Sequence, residues 1–494
     1  MNKLYYGDNL DIMRKHITDE SVDLCYIDPP FNSNKDYNII YDGSTAQATA
    51  FTDVWSKEPP AKEEEYIMNH IEDGKYAELY KVLKGLKMLL EKNNPALYSY
   101  LTNIGIRIVE IHRVLKDTGS FYLHCDPTAS HYIKIMLDAV FGPKNFRNEI
   151  VWFYPSVSAT KSGFPQKHDI ILRYSKGDAV YFNGDAVREA YDEKTVSRYK
   201  NKVIFPGGYE AKINPKGRLP YDVWKIPMLR NVSKERTGYP TQKPLALLER
   251  IIKSSCPPDG IVLDAYAGCA TTCVAAQKSN RQWVGIDITY LAINVIKERL
   301  LKEFYYGLGI GAKEANRKLN NDTIIFGVPK DIEGARALAR ETKGDRVRKE
   351  FEKWAVSSIG GIPHEKKGGD GGTDGELWIN EFTDAMKINK ISIPISVKSD
   401  ERVVPSQIRD LRGVIERDNS PMGIFISLEE ISDGCKVEAK QKQYKNNYTN
   451  QVYPQIVSIT AQEIIDGTYK SKLPIVEDIA PQGKKKAVKT QKLA

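Results

Sequence analysis

The chain has 494 residues, 41% of them hydrophobic and 28% charged, with a formal net charge of +8. That length exceeds one hydrophobic core and predicts two or three domains, while the composition is that of a soluble globular protein with no apolar run approaching a membrane span. The opening MNKLYYGDNL has no apolar leader core, which predicts a cytoplasmic protein, and the 6 cysteines form neither a CxxC pair nor a Cys/His cluster, which argues against a zinc site or a disulfide framework.

YYGDN reads as a turn, NLDIMRKHI as a short amphipathic helix and SVDLCYI as a buried strand ending at Asp28. Pro29 and Pro30 follow, and a strand ladder cannot continue through them. Residues 32–60 are polar and read as a long loop. Residues 61–116 carry helical periodicity, GSFYLHC is a strand, ASHYIKIMLDAVFG a helix and NEIVWFY a strand. From 155 to 236 the regular pattern gives way to Tyr, Lys, Arg, Gly and Pro, which predicts a separate module inserted into the domain. KPLALLERIIKSS, GIVLDAYAG, ATTCVAAQKS, QWVGIDI and TYLAINVIKERLL then restore strands alternating with helices, the pattern of an α/β parallel sheet covered on both faces. The predicted boundaries are therefore 1–154, 155–236 and 237–310 for the first unit and its insert, a polar linker over 311–344, a second unit over 345–475 and a basic disordered tail over 476–494.

In open parallel sheets ligands bind beyond the carboxyl ends of strands. Asp28, Pro29, Pro30 and Phe31 stand at such an end. The diproline fixes φ twice and removes two donors, leaving the Asp28 carboxylate and the Pro29 carbonyl as acceptors beside the flat face of Phe31. That set suits a planar ligand with an exocyclic amine, such as a nucleobase flipped out of a duplex. Taken alone, the four residues fit a capped strand and tight turn equally well.

In GIVLDAYAGCATTCVAAQ, Asp264 to Gly268 form a turn of mostly small residues after a strand, and Ala270 to Thr272 open a helix. Small side chains let backbone amides approach a ligand, and a helix N-terminus favours a carboxylate. Asp287 ends the next strand, where an acid accepts from ribose hydroxyls in nucleoside-binding α/β folds. No GxGxxG or GKT/GKS is present, which argues against an ATP P-loop. His124 and His131 flank the LHCDPTASH turn and read as structural, and Cys269 and Cys273, one helical turn apart, read as packing residues.

Together these segments resemble the DNA amino-methyltransferases that use S-adenosylmethionine. DPPF resembles their catalytic motif, and DAYAGCATT their cofactor loop, with Tyr266 in place of the usual Phe and Cys269 and Ala270 where Ser and Gly are common. YPTQKPLALLERII resembles the segment preceding that loop, and YYGDNLDIMRKHITDESVDLCYIDPPF and RVLKDTGSFYLHCD resemble the family's opening and central strand. Catalytic motif, insert and cofactor loop come in the order of the permuted beta class, and the resemblance covers residues 1–310. It implies a Rossmann-like methyltransferase sheet, methyl transfer from S-adenosylmethionine to an exocyclic amine of double-stranded DNA, and catalysis by Asp28, Pro29, Pro30 and Phe31. It also implies cofactor contacts from Asp8, Thr241, Gln242, Lys243, Asp264, Ala267, Gly268 and Asp287, with no metal. An aspartate-first motif is typical of the adenine enzymes, so adenine is the expected base and the cytosine amine the alternative; a homodimer is an open assembly. The insert would read DNA, since Lys161, Lys167, Arg173, Arg188, Lys212, Lys216, Arg218, Lys225 and Arg230 interleave with Tyr181, Tyr191, Tyr209, Tyr221 and Trp224.

The second unit resembles the PD-(D/E)xK nuclease fold, especially its Mrr-like branch. Asp374 and Lys398 match the motif, and Ser396 departs from the Glu or Gln that usually reaches a Mg²⁺ ion. The departure predicts weak or absent cutting and a DNA-binding or regulatory role; a combined restriction–modification enzyme is the alternative.

Overall fold

The computed structural model describes the chain apart from residues 31–34, 41–46, 54–59, 156–162, 201–202, 205–209, 212, 231, 240, 330, 341–344, 365–371, 383–387, 401, 448 and 475–494. Phe31, Lys161, Tyr209, Lys212 and the basic tail expected at 476–494 lie outside the described residues. In chain order the main sheet contains β1 (Asn2–Tyr6), β2 (Val22–Ile27), β3 (Leu115–Cys125), β4 (Phe146–Phe153), β5 (His168–Ser175), β6 (Val223–Lys225), β7 (Ile261–Asp264), β8 (Gln282–Asp287) and β9 (Thr323–Phe326). Their order across this 9-stranded sheet is β6-β4-β5-β3-β2-β7-β8-β1-β9.

The sheet is α/β as expected, but it is mixed. β5 runs antiparallel to both β3 and β4, and the other neighbours are parallel. The expected separate insert at 155–236 therefore needs correction, because it supplies β5 and the edge strand β6 to the main sheet. HDIILRYS buries Ile170 to Ser175 between two strands, a demand that outweighs its polar surroundings. The helix Glu193–Lys200 and the short ribbon Val203–Ile204/Glu210–Ala211 make up the rest of its regular α and β structure among the described residues. The expected linker at 311–344 likewise holds a helix (Ala312–Asp322), the edge strand β9 and a second helix (Ile332–Arg340). Within the polar 32–60 stretch, Lys35–Ile40 and Gln47–Asp53 pair as an antiparallel hairpin.

Helices cover both faces. The long helix Pro95–Val114 starts where the Asn94 side chain accepts from the Leu97 amide and a proline takes the first turn; it ends with Arg113, whose cation suits the negative end of the helix dipole, while burial keeps His112 neutral. It packs with Gly74–Leu90 and Ser130–Phe141 on one face, while Leu245–Ser255, Thr271–Lys278 and Tyr290–Phe304 cover the other. No helix among the described residues is long and apolar enough to cross a membrane.

A second sheet is built from β10 (Ile362–Pro363), β11 (Gly375–Phe382), β12 (Ile388–Lys398), β13 (Gly423–Ser427) and β14 (Ile456–Thr460), in that order. The first three are antiparallel neighbours, and β12, β13 and β14 are parallel. Its core includes Phe351, Trp354, Ile393, Ile395 and Ile426, and it reaches Tyr290 of the first unit.

Candidate active site

The chain leaves β2 toward β3 on one side and leaves β7 toward β8 on the other, so the crevice between β2 and β7 is a topological switch point of the sheet. That is where α/β sheets bind ligands. Asp28 follows β2, Asp264 ends β7 and Asp287 ends β8, so three carboxylates meet at one rim. The parallel register Ile27↔Leu123 sets His124 of β3 beside Asp28.

One oxygen of Asp28, Oδ2, accepts from the Lys243 ammonium. The other, Oδ1, is buried, has no hydrogen-bond partner among the described residues, and lies 3.9 Å from His124 Nδ1. His124 is fully buried; its Nδ1 is 2.8 Å from Tyr26 Oη and its Nε2 is 3.2 Å from Asp169 Oδ2. Tyr154 Oη donates to the other Asp169 oxygen at 2.9 Å. Burial pushes the Asp169 carboxyl up, but the hydrogen bond and charge of His124 and the charge of Lys243 pull it below its ordinary value. The site thus has a buried polar layer behind Asp28 that the sequence reading missed, since it assigned His124 to structure and did not single out Asp169. Its only trace in the sequence is polar residues in strands that are otherwise apolar.

On the other side of the switch point, Asp287 Oδ2 accepts from the Gly268 amide at 2.8 Å, and Oδ1 from the amide and hydroxyl of Thr289 at 2.9 and 3.0 Å. Asp264 Oδ1 accepts from the Tyr266 amide at 3.0 Å. Burial raises both acids, Asp264 to about 7 and Asp287 to about 6. Gly268 has φ +52°, and a Cβ there would stand 3.2 Å from the Tyr239 ring, so the turn depends on glycine. Ala267 is held by its amide to the Ile286 carbonyl. At the β1 end, the Asp8 carboxylate caps the helix Asn9–His16 by accepting from the Leu10 amide, and it also accepts from Arg107 at 2.9 Å. Arg107, buried and absent from the sequence reading, binds Asn9 Oδ1 as well.

The three residues of the TQK segment divide. Gln242 accepts from the amide and hydroxyl of Thr237 and donates to the Glu235 carbonyl, so it holds its own loop. Thr241 adopts φ +59° and is exposed, and its carbonyl lies 3.4 Å from Lys243 Nζ. Lys243 turns away from the loop to Asp28. Among the residues expected to read DNA, Arg173 and Trp224 are buried, with Arg173 over the Phe182 ring and Trp224 under Arg250. Tyr221 is exposed beneath Arg218.

In the second unit Asp374 lines a cleft with Lys349, Glu352, Lys353, Pro363 and His364. Its Oδ2 accepts from the Val397 amide at 2.6 Å, which ties the two strands at their mouth. Ser396 is buried in β12 and Lys398 ends that strand. Glu352 and His364 were not foreseen; Glu352 lies on the helix Asp345–Ser358 and His364 directly follows β10.

Residues 349–464 match a family described as a restriction endonuclease. The chain is 29% identical over 323 residues to the DNA adenine methyltransferase YhdJ of Escherichia coli (strain K12), covering 64% of this chain and 89% of that one. It is 33% identical over 196 residues to the type II methyltransferase M.HpaI of Haemophilus parainfluenzae, covering 40% of this chain and 57% of that one. The solved structure of the PvuII DNA methyltransferase (cytosine-N4-specific) aligns at a TM-score of 0.38 and 15% identity, over 66% of this chain and 95% of that one, too low a score to bear on the target base. Residues 22–298, more than half of the chain, match the family described as DNA methylase, and the chain belongs to that family.

Proposed function

We propose that the chain transfers a methyl group from S-adenosylmethionine to the exocyclic amine of adenine in double-stranded DNA, on a base turned out of the helix. The observation that carries this reading is the Asp28 carboxylate at the switch point, with Oδ1 buried, at the end of the strand next to the one that leads into the small-residue loop of Asp264 to Gly268. Adenine is supported by the aspartate-first motif and by the adenine specificity that the E. coli relative's name states.

The residues at β7 and β8 fit the cofactor. Asp264 and Asp287 are desolvated acceptors raised toward neutrality, the condition in which added hydroxyl donors are favoured. Asp287 Oδ2, which accepts from the Gly268 amide alone among the described residues, retains acceptor capacity, while Oδ1 already takes two donors from Thr289. Asp287 would hold the ribose, Gly268 and Ala267 would admit the ligand to the backbone, and Asp8, Asp264 and the Thr241 segment would border it. When bound, S-adenosylmethionine supplies a methyl group already activated on a sulfonium. The protein's part is geometry: Asp28 and the Pro29 carbonyl accept the amine's hydrogens and aim the nitrogen lone pair. Positioning of this kind lowers a barrier by several kcal/mol, up to roughly 7–11 in the best models. Phe31 would stack on the base, worth about 1–3 kcal/mol.

For the second unit the reading is DNA binding or regulation. The support for it is Ser396, a neutral hydroxyl where an acid or amide usually reaches the metal.

Long-read sequencing that detects modified bases tests the main reading, on DNA from cells expressing wild type or Asp28→Ala. Methylated adenine in one sequence context, absent with the variant, is the expected result, and calorimetry should show that Asp28→Ala still binds S-adenosylmethionine. Methylation of the cytosine amine would move the target to that base. An unmodified genome would overturn the reading.

A further inference from the structure

Methylating an exocyclic amine leaves a surplus proton. As the N–C bond forms, the S–C bond breaks with its electron pair on sulfur, and the nitrogen must lose one hydrogen to become a neutral secondary amine. Its hydrogen-bond acceptor, Asp28, has to pass that proton on before the next turnover. The buried layer behind Asp28 supplies a route. His124 Nε2 faces an acceptor-only carboxylate, Asp169, at 3.2 Å, so Nε2 carries the hydrogen and Nδ1 presents its lone pair. That lone pair accepts from Tyr26 Oη, a hydroxyl that burial and the neighbouring acids keep protonated. Asp28 Oδ1 waits 3.9 Å from the same nitrogen with no other partner among the described residues. Catalytic hydrogen bonds are often this long before substrate binds.

We propose that His124, backed by Asp169, is the proton relay that resets Asp28 after each methyl transfer. The proton moves from the amine to Asp28 Oδ1 and then to His124 Nδ1, with the Tyr26 hydroxyl turning its hydrogen aside. The resulting imidazolium is stabilised by Asp169, whose partly exposed carboxylate can hand the proton from Nε2 to solvent; the starting tautomer returns when Nε2 takes a proton back from solvent through Asp169 and Nδ1 releases its own to the water that replaces the departed base. Among the described residues, the groups around the imidazole are Tyr26 from β2 and Asp28 just after it, Asp169 from β5 with Tyr154 bonded to it, Trp152 from β4, and, beyond Asp28, the Lys243 ammonium. Lys243 and Asp169 carry opposite charges on the two sides of the ring. His124 touches no substrate in this scheme and acts through Asp28.

The inference rests on the methyltransferase reading, and one experiment separates the two. Multiple-turnover transfer from tritiated S-adenosylmethionine to unmethylated plasmid DNA is followed between pH 5.5 and 9 at saturating cofactor and DNA, with the full-length protein. Wild type should lose rate on the acid side through one ionisation, because protonated His124 cannot accept. His124→Gln keeps an amide donor toward Asp169 but cannot take up a proton; it should be slower by about 10²-fold and lose the acid limb, with an unchanged cofactor constant. Asp169→Asn removes the charge that stabilises the imidazolium and should shift the limb to lower pH. A wild type whose rate shows no acid limb overturns the relay without recourse to any variant. So does a folded His124→Gln with the wild-type rate and profile, or an Asp169→Asn whose limb stays in place. A wild type that transfers no methyl group at any pH overturns the methyltransferase reading itself.

Discussion

Asp287 illustrates how one side chain can carry both a structural and a proposed binding role. Its carboxylate joins β8 to the Gly268 turn and caps the next helix through Thr289, so Asp287→Ala removes bonds that shape the loop as well as the expected contact to ribose. The lost charged hydrogen bonds are worth about 1.5–3 kcal/mol, which predicts a ten- to a hundred-fold weaker cofactor constant, roughly. An unchanged constant in calorimetry would move the ribose site elsewhere. The raised acids give the same site a pH dependence. Asp264 and Asp287 bind protons in the folded protein up to about 7 and about 6, well above the range where the unfolded chain releases them. The folded state therefore holds more protons than the unfolded state between roughly pH 4 and 7, and these two groups make stability fall as pH rises through that window. Hydroxyl donors and a cationic ligand favour the ionised acids, so cofactor affinity should rise from pH 5.5 to 7.5, with proton release visible as a buffer-dependent binding enthalpy. Lys243 gives a different result. It contacts Asp28, and Lys243→Met would leave that carboxylate without its cationic partner, a loss of about 3–5 kcal/mol at full burial and less here because Asp28 is 18% exposed. The expected outcome is a lower melting temperature and impaired methyl transfer, with cofactor affinity close to that of wild type. A large loss of cofactor affinity at normal stability would return Lys243 to the cofactor side.

At the scale of elements, legibility followed the length and contrast of the local pattern. β2, β3, β7 and β8 are short apolar runs closed by turn residues, and each ends close to where its sequence places it, which is why Asp28, Asp264 and Asp287 could be located on one rim. β5 and β6 were missed because their partners lie elsewhere: β5 pairs with β3 and β4, and no local periodicity reports a neighbour. The partners of His124 were hidden for the same reason, since Asp169 stands on β5, 45 residues away in sequence. The β11–β12 hairpin is the reverse case. Its register, Gly375↔Ile395, puts Asp374 and the buried Ser396 at one strand mouth, as the spacing suggests. A serine hydroxyl is a neutral ligand, and Mg²⁺ sites generally use one or two carboxylates within an octahedral oxygen shell. Plasmid DNA, methylated or unmethylated, incubated with Mg²⁺ or Mn²⁺ should therefore remain uncut. Cutting by wild type that disappears in Lys398→Ala would make the protein a combined restriction–modification enzyme.

The two sheets are joined at the molecular scale through the edge of the methylase unit that borders its cofactor-side turn. Tyr6, the last residue of β1 and two positions before Asp8, stacks on Tyr290 with ring centroids 3.8 Å apart and donates from its hydroxyl to Glu350 at 2.5 Å. Glu350 lies on the helix Asp345–Ser358, which also carries Lys349, Glu352 and Lys353 into the cleft of Asp374. Asn294 adds a bond to the Ser357 carbonyl at 2.9 Å, and Tyr290 belongs to the apolar core of the second unit. Burial and the acid raise the Tyr6 hydroxyl far above its ordinary range, so it stays a donor to a charged acceptor at any working pH. A buried bond of that type is worth about 1.5–3 kcal/mol, and this half-buried one less. Tyr6→Phe keeps the stacked ring and deletes this one bond, leaving Glu350 to find water. Because the bond spans the two units, its loss should act on their coupling more than on either core. Scanning calorimetry of wild type is expected to show one cooperative transition, and Tyr6→Phe a broader or split transition in which the second unit melts first. Two resolved transitions already present in wild type, unmoved by the substitution, would mean that the units unfold independently and that Tyr6 serves only the turn beside Asp8.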